Sequence, residues 1–591
     1  MFAENSTSLL LQNVGFFNVN NAITDTVLAK VLLAGGNEVL LDNWGFGRVT
    51  NSEGGSSFLN GANIPVMNRT KSLLSTELAY AKPNFFTRRR PKYVDIGQSQ
   101  VIDLKTAGAK GDGVTDDTTA LNSIFAAAAN MSSIAFIPYG VYIVTNTVKI
   151  PVGSRIIGQA RPQIMGKDKS FEGQLHRKVV VQVGEPDESG IVEIQDLMFT
   201  VSGATAGAVL VQWNVHEITQ GSVGLWGKNL FDAQTPLAKL LTERLVDSHF
   251  WVGGATGSGL QAGDCPKGGG INTNCIAASA LLNINVNASA YIENSWAWVA
   301  DHDLDASDEA QIDIFAGRGI LIESQGPTWL YGTASEHNVL YQYQLSNAKS
   351  VVMGIIQTES PYFQAYPEAP LPIVTGGFPN EPFFDNCALS TLGTCAVSWA
   401  VRILDSSNIY TLGAGMYSWF SKYSQECLTK ENCQDGAFEV EESEDLWIYN
   451  LVTKGIVEMI SPVNEQPTLS KNNKNAFMSS ILAWLKGSSE TSGQRVFAGF
   501  TIYDADDLPS TFSDACVNAL TSTIKCDQHV FAFGEPAYHG TLGNLTLTDM
   551  VCEQSCGNSL ASWFNTAEKF CGGAIILDHP ATILGGNMWT G

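Results

Sequence analysis

Short apolar triplets recur along the chain, each closed by a polar corner. GILIESQGPTWLYG (319–332), VRILDSSNIYTLG (401–413) and FEVEESEDLWIYN (438–450) share one form. Each has an apolar triplet, an acidic or serine corner, an aromatic residue, and a closing Gly or Asn. From about 190 to 460 the theme repeats as short strands without helices between them. Self-similar strand units of this kind predict a solenoid. The rungs of such a solenoid stack about 4.8 Å apart, the spacing of hydrogen-bonded strands. The fold class expected is therefore all-β, a right-handed parallel β-helix.

The pattern changes before that region. VIDLKTAGAKGDGVTDDTTALNSIFAAAAN (101–130) reads as a strand, a Gly-Asp-Gly turn, an N-cap at Thr115 or Asp116, and a helix from about Asp117 to Ala129. Its aspartates are expected to cap that helix rather than to hold a metal or phosphate, since the GKS/T ending of a phosphate loop is missing. IAFIPYGVYIVTNTVKIP (134–151) follows as alternating β segments. Residues 1–80 read as strands already in progress and are expected to be the terminal coils of an incomplete first β-helix. Residues 81–97 read as a linker, whose Arg88, Arg89 and Arg90 are expected to be solvated or paired with an acidic surface. Residues 98–591 are assigned to one complete β-helix domain, with 485–591 as its last coils and cap.

Composition narrows the partners. Of 591 residues, 44% are hydrophobic and 16% charged, which excludes a disordered chain or a coiled coil. Lys and Arg number 34 against 58 Asp and Glu, so 34 − 58 gives −24. That charge repels phosphate backbones and anionic lipid, so neither nucleic acid nor a membrane is an expected partner. A neutral polysaccharide suits the charge better than pectin. The first residues lack a basic stretch followed by an apolar one and do not read as a signal peptide.

The chain has 11 cysteines, with close pairs at Cys265/Cys275, Cys387/Cys395, Cys427/Cys433 and Cys516/Cys526, and a trio Cys552, Cys556 and Cys571. Short loops between cysteines, with none of the zinc spacings, predict disulfides in an oxidising compartment, hence a secreted protein. The sequons at Asn5, Asn68, Asn130, Asn287 and Asn544 agree with that but are few enough to arise by chance. A monomer without metal or cofactor is expected.

Glycosidic bonds are hydrolysed by two carboxyl groups, one giving a proton to the leaving oxygen and one activating water or attacking the sugar. In a β-helix, residues one rung apart lie side by side. Glu336 in WLYGTASEHNVLYQY and Glu359 in VVMGIIQTESPYFQ are 23 residues apart, and aligning Gly332 with Gly354 brings them together. Tyr341, Tyr343, Tyr362 and Phe363 flank them as aromatic surface for a sugar. The acidic turn NSWAWVADHDLDASDEAQ (294–311) offers Trp296, Trp298, Asp301, His302, Asp303 and Asp305 for sugar hydroxyls. Its resemblance to a calcium loop is partial, because the closing Glu is missing. Tyr417, Trp419 and Phe420 in LGAGMYSWFSKYSQEC (412–427) are candidate pocket walls.

KGDGVTDDTTALN with IPYGVYIV behind it resembles the opening of pectate-lyase-type β-helices. WLYGTASEHNVLYQYQLSNAKSVVMGIIQTESPYFQ, with WAWVADHDLD and LGAGMYSWFSKYSQEC, resembles the fungal exo-β-1,3-glucanases of glycoside hydrolase family 55. The resemblance implies tandem β-helices, an inverting mechanism and release of glucose from chain ends of β-1,3-glucan. It implies Glu359 as general acid, Glu336 as the residue that holds or activates water, and Tyr362, Trp298 and Asp301 as contacts of the terminal sugar, with Trp296 and Tyr417 beside them. The family's first β-helix has its own opening motif, whereas only one stands here, at 110–118; most of the first β-helix is therefore expected to be absent from this chain. Two other readings remain open: a pectin-active lyase or hydrolase on the same solenoid, which lacks here its GHG and NTD triplets, and a non-catalytic glucan- or cell-wall-binding β-helix.

Overall fold

The computed structural model describes residues 8–25, 30–52, 54–64, 69–79, 82–227, 248–384, 387, 394–487, 501–503, 508–509, 511–524 and 554–571. Cys526, Cys552, Asn5, Asn68 and Asn544 lie outside them. Two compact units divide the chain, residues 1–488 and 489–591. The division differs from the single 98–591 domain expected from the sequence.

The first unit is a parallel β-helix. Among the described residues its rungs build a 21-stranded and an 11-stranded sheet. The strands used below are β1 (Leu9–Asp25), β2 (Lys30–Asn51), β3 (Ser56–Asn63), β4 (Ser248–Val252), β5 (Ser295–Val299), β6 (Thr328–Glu336), β7 (Lys349–Glu359), β8 (Ser407–Tyr417), β9 (Glu444–Lys454) and β10 (Met478–Lys486). From β4 to β9 the consecutive rungs pair in parallel. Helix α1 (Thr118–Asn130) buries Leu121, Phe125 and Ala128 against the core and lies within a residue of its predicted span. The N-cap is Asp117, not Thr115 or Asp116 as expected, and its side chain makes no cap hydrogen bond; Asp116, one residue earlier, accepts from the Thr118 amide at 3.0 Å. Asp117 accepts from the Lys110 and Gly111 amides at 2.7 and 2.8 Å, closing the Gly-Asp-Gly turn onto the helix start.

The long rungs share a corner at a residue with positive φ. Asn294, Gly332, Ile355, Gly413 and Asn450, with φ of 52, 60, 57, 92 and 49°, occupy the same gap in the register of successive rungs. Glycine and asparagine suit that conformation, while a β-branched residue does not. The corner separates each strand into two arms, and the second arm carries the candidate site.

Residues 9–63 are not parallel coils. β1 pairs β2 antiparallel, β2 pairs β3 antiparallel, and β2 also lies parallel to β10 at Val49↔Ala483 through Asn51↔Leu485. The reason lies in the connections: four residues separate β1 from β2 and β2 from β3. Parallel neighbours need a crossover of about a dozen residues or more, so segments this short return only as hairpins. β10 pairs β9 antiparallel and ends the stack of rungs. The stretch after the hairpins does not hang free as a linker. Arg90 binds Gln195 at 2.6 Å and Asp196 at 2.8 Å, and Arg88 pairs with Glu193 over the Trp226 ring. Pairing with acidic groups is the outcome expected for these arginines.

The second unit, among its described residues, holds helices α2 (Asp514–Leu520) and α3 (Gln554–Cys571) around Tyr503, Cys516, Leu520, Leu560 and Trp563. The disulfides Cys265–Cys275, Cys387–Cys395 and Cys427–Cys433 pair as expected. Cys516 does not join Cys526; it is bonded to Cys571. The two helices pack side by side and bring these distant positions to a Cα separation of 5.0 Å, within disulfide reach.

Candidate active site

Parallel register sets one row of side chains across six rungs: Trp251, Trp298, Glu336, Glu359, Tyr417 and Lys454. Side chains alternate along a strand, so the intervening row points the other way. Ala297, Ser335, Thr358, Met416 and Thr453 fill it and are fully buried. Glu336 and Glu359 are thus direct neighbours one rung apart, on the face opposite the core, as the sequence spacing predicted.

Each of the two carboxyls is held by its own set of donors. Glu336 accepts from Trp296 Nε1 at 3.0 Å and from Gln357 Nε2 at 2.9 Å, both two positions earlier in the register. Glu359 accepts from the Tyr362 hydroxyl at 2.8 Å and from Trp419 Nε1 at 3.0 Å, both on the later side. The ~4.8 Å rung spacing sets the two backbones side by side, while the donors to each carboxyl come from opposite ends of the register.

His337 joins the pair. Its Nδ1 lies 2.9 Å from the Val299 carbonyl, which only accepts, so Nδ1 carries a hydrogen. Its Nε2 stands 3.5 Å from Glu359 Oε2, and Asp301 Oδ1 is 3.8 Å from Nδ1. The ring meets Tyr362 edge-on at 4.8 Å.

These surroundings move the charges in opposite directions. Burial pushes the Glu336 carboxyl up to about 7; His337 and the Trp296 donor pull it down, and repulsion from Glu359 and Asp301 offsets part of that pull. Burial also pushes Glu359 upward, but the His337 imidazole and the Tyr362 and Trp419 donors outweigh it and hold the group below the ordinary carboxylate range. For His337 burial favours the neutral ring, yet Glu359, Asp301 and Glu336 raise it to about 9. The site therefore sets a carboxyl raised toward neutrality, a carboxylate held low and an imidazole held toward its protonated form near one another.

Aromatic rings wall the face on both sides. Tyr417 stacks on Trp419 at 5.1 Å, and Tyr362 packs on Phe420 at 4.3 Å. Upstream, Trp251, Trp296 and Trp298 form one cluster, Trp251 and Trp298 being edge-to-face at 4.6 Å. Trp298 was expected to bind sugar but is only 2% exposed; it lies beneath Trp251 and Trp296, which keep exposed surface. Tyr341, Tyr343 and Phe363 are buried in the core and offer no sugar surface. Asp301 stands at the rim, 3.1 Å from His302 Nδ1. Asp303 instead ties a loop, accepting from Gln261 and from the Ala262 and Asp305 amides at 3.0–3.1 Å. Among the described residues no three His, Cys, Asp or Glu side chains are placed to hold a metal ion.

The sequence reading missed Gln357, His337 and Trp251. Gln357 was legible in principle, since it lies two residues before Glu359 and so shares its face. His337 gave no such signal, because its orientation follows from its own positive φ of 65° after the strand ends.

Residues 101–223 match the family model described as rhamnogalacturonase A/epimerase, pectate lyase-like, and residues 497–585 match the secreted LysM effector N-terminal domain. The whole chain is 52% identical to the non-secreted LysM effector LysM15 of Penicillium expansum, covering 39% of that protein. Over 406 residues, 68% of the chain, it is 40% identical to a probable glucan endo-1,3-beta-glucosidase of Arthroderma benhamiae, covering 43% of it. Over 486 residues, 80% of the chain, it is 32% identical to a glucan 1,3-beta-glucosidase of Cochliobolus carbonum, covering 56% of it. The chain thus spans between 39% and 56% of the length of these relatives. In fold the chain is a pectate-lyase-like β-helix, and over most of its length it is similar to relatives named as 1,3-β-glucosidases, the kind its motifs resemble.

Proposed function

We propose that the chain acts on β-1,3-glucan as an exo-acting, inverting glycoside hydrolase, with Glu359 as general acid and Glu336 holding and activating the attacking water. The observation that carries this reading is the placement of the two carboxyls: one rung apart, on one aromatic-walled face, each held by its own set of donors. Inversion requires water between carboxyls roughly 6.5–9.5 Å apart, and donors drawing the two groups toward opposite ends of the register favour that separation. Trp296, Tyr417 and Tyr362 line the face for the flat surface of a neutral sugar, and Asp301 for its hydroxyls. The three acids Asp301, Glu336 and Glu359 repel a polyuronate, so pectin fits this face poorly. The relatives named as 1,3-β-glucosidases support the substrate class. The disulfides support an oxidising, extracellular setting.

The test is hydrolysis of laminarin by the full chain and by Glu359→Gln. A loss of about 10³-fold is expected on removal of a general acid, with glucose as the product and the α-anomer appearing first by NMR. Near-normal turnover by Glu359→Gln removes that residue from its role, and oligosaccharides as first products remove the exo mode.

A second reading is favoured by the match of residues 497–585 to a LysM effector domain. In it the β-helix binds cell-wall glucan without turnover. Tight laminarin binding with no glucose released decides for it.

A further inference from the structure

We propose that His337 and Glu359 share a single proton between Nε2 and the carboxyl, and that His337 is the positioning residue that keeps this proton available to the reaction. This rests on the proposed hydrolysis only for what the proton is used for; the pairing itself stands on geometry.

The argument starts from Nδ1. Its partner is the Val299 carbonyl at 2.9 Å, which has no hydrogen to give. Nδ1 is therefore occupied in every protonation state, and only Nε2 is free to gain or lose a proton. Nε2 lies 3.5 Å from Glu359 Oε2, with the His337 ring buried and the Glu359 carboxyl only partly exposed. If both groups were bare, a lone pair would face a carboxylate oxygen. If both were protonated, a cation would face a neutral acid with two hydrogens crowded between them. One proton resolves both conflicts, either as imidazolium beside carboxylate or as neutral ring beside carboxylic acid.

The other charges facing the ring favour retention of that proton. Glu336 precedes it on β6, Asp301 follows β5 and turns the same oxygen toward His302, and Tyr362 follows β7. Among these the acids outnumber the bases, so the proton is held electrostatically as well. The fixed Nδ1 bond and the positive φ at 337 leave the ring little freedom to turn away.

In the reaction the proton balance closes. The glycosidic oxygen takes the pair's proton as the bond to the sugar carbon breaks. The attacking water loses one proton on the Glu336 side. That proton returns through solvent and recharges the pair, so the protein ends as it began.

The pair is tested first without substrate. In ¹⁵N-histidine-labelled full chain, the His337 signal, assigned by its loss in His337→Asn, is expected to report both nitrogens protonated at pH 7.5. In Glu359→Gln, which leaves His337 in place, its titration midpoint is expected to fall by about one pH unit or more. A ring that is neutral at pH 6, or a midpoint unmoved by Glu359→Gln, overturns the proposal whether or not laminarin is a substrate. The second measurement is the laminarin pH profile of His337→Asn and His337→Gln. The alkaline limb is expected to move acidward by about one unit or more, and kcat to fall about tenfold or more, with KM near the parent value. Loss of kcat at every pH with an unmoved limb reduces His337 to a structural role and overturns the proposal. If the NMR coupling appears but laminarin is not cleaved, the pair stands and the hydrolase reading falls.

Discussion

Glu336 accepts two hydrogen bonds yet titrates near 7, because burial takes away more solvation than two neutral donors restore. Its folded pKa therefore lies above the unfolded value of about 4.3. Between those values the folded state holds more protons than the unfolded one, so this group's contribution to stability falls as pH rises from about 4 through 7. Glu336→Gln keeps an acceptor for Trp296, lets its NH2 donate to Gln357 once that amide turns over, and removes the charge. It is expected to stabilise the chain at pH 8, by at most about 3 kcal/mol, and to change little at pH 4. Denaturant unfolding at both pH values measures this, and an equal effect at the two contradicts it. The same group separates two role assignments. If Glu336 activates water it must be ionised, and kcat/KM falls as pH drops through about 7. If the roles are exchanged and Glu336 donates the proton, kcat/KM falls as pH rises through that value. Period-two alternation made Glu336, Glu359 and Gln357 legible as one face. It could not show that Trp298, in the same row, is covered by the larger rings beside it.

Elements explain why the parallel rungs were legible and the hairpins were not. A strand alternates in the same way whether its neighbour runs with it or against it, so the apolar pattern of residues 9–63 does not distinguish a coil from a hairpin. The four-residue connections carried that information, and they weigh against parallel pairing once strand ends are known. Disulfide pairing failed for a related reason. Sequence proximity found the three bonds inside short loops but not Cys516–Cys571, which depends on how α2 packs on α3. The rung corner yields a prediction of its own. Ile355 holds φ of 57° and is 76% exposed, where its counterparts are Gly or Asn. A left-handed conformation costs an L-residue roughly 1–2 kcal/mol, and little burial is lost on truncation here. Ile355→Gly is expected to stabilise the chain by about 1 kcal/mol, less the entropy that glycine adds to the unfolded state. A lower Tm in this variant shows that Ile355 makes a contact worth more than its strain.

At the scale of the whole molecule, the row from Trp251 to Lys454 and every hydrogen bond to Glu336 and Glu359 lie within residues 1–488. The hairpins of β1–β3 belong to the same unit and bind it through β10, so the stack of rungs carries its own terminal cover. Residues 489–591 form a separate unit with their own small core and disulfide. If the chemistry resides in the rungs, ending the chain after residue 488 leaves kcat on laminarin within about twofold, because the whole row of side chains that includes the carboxyls is kept. If residues 489–591 serve attachment to an insoluble wall, the same truncation weakens retention on particulate glucan while soluble turnover persists. Parallel assays on soluble laminarin and on pelleted glucan separate these effects. A shortened chain that folds, judged by an unchanged far-ultraviolet spectrum, but loses soluble turnover would place part of the working site beyond the β-helix. That result would require revising the assignment of catalysis to Glu336 and Glu359 alone.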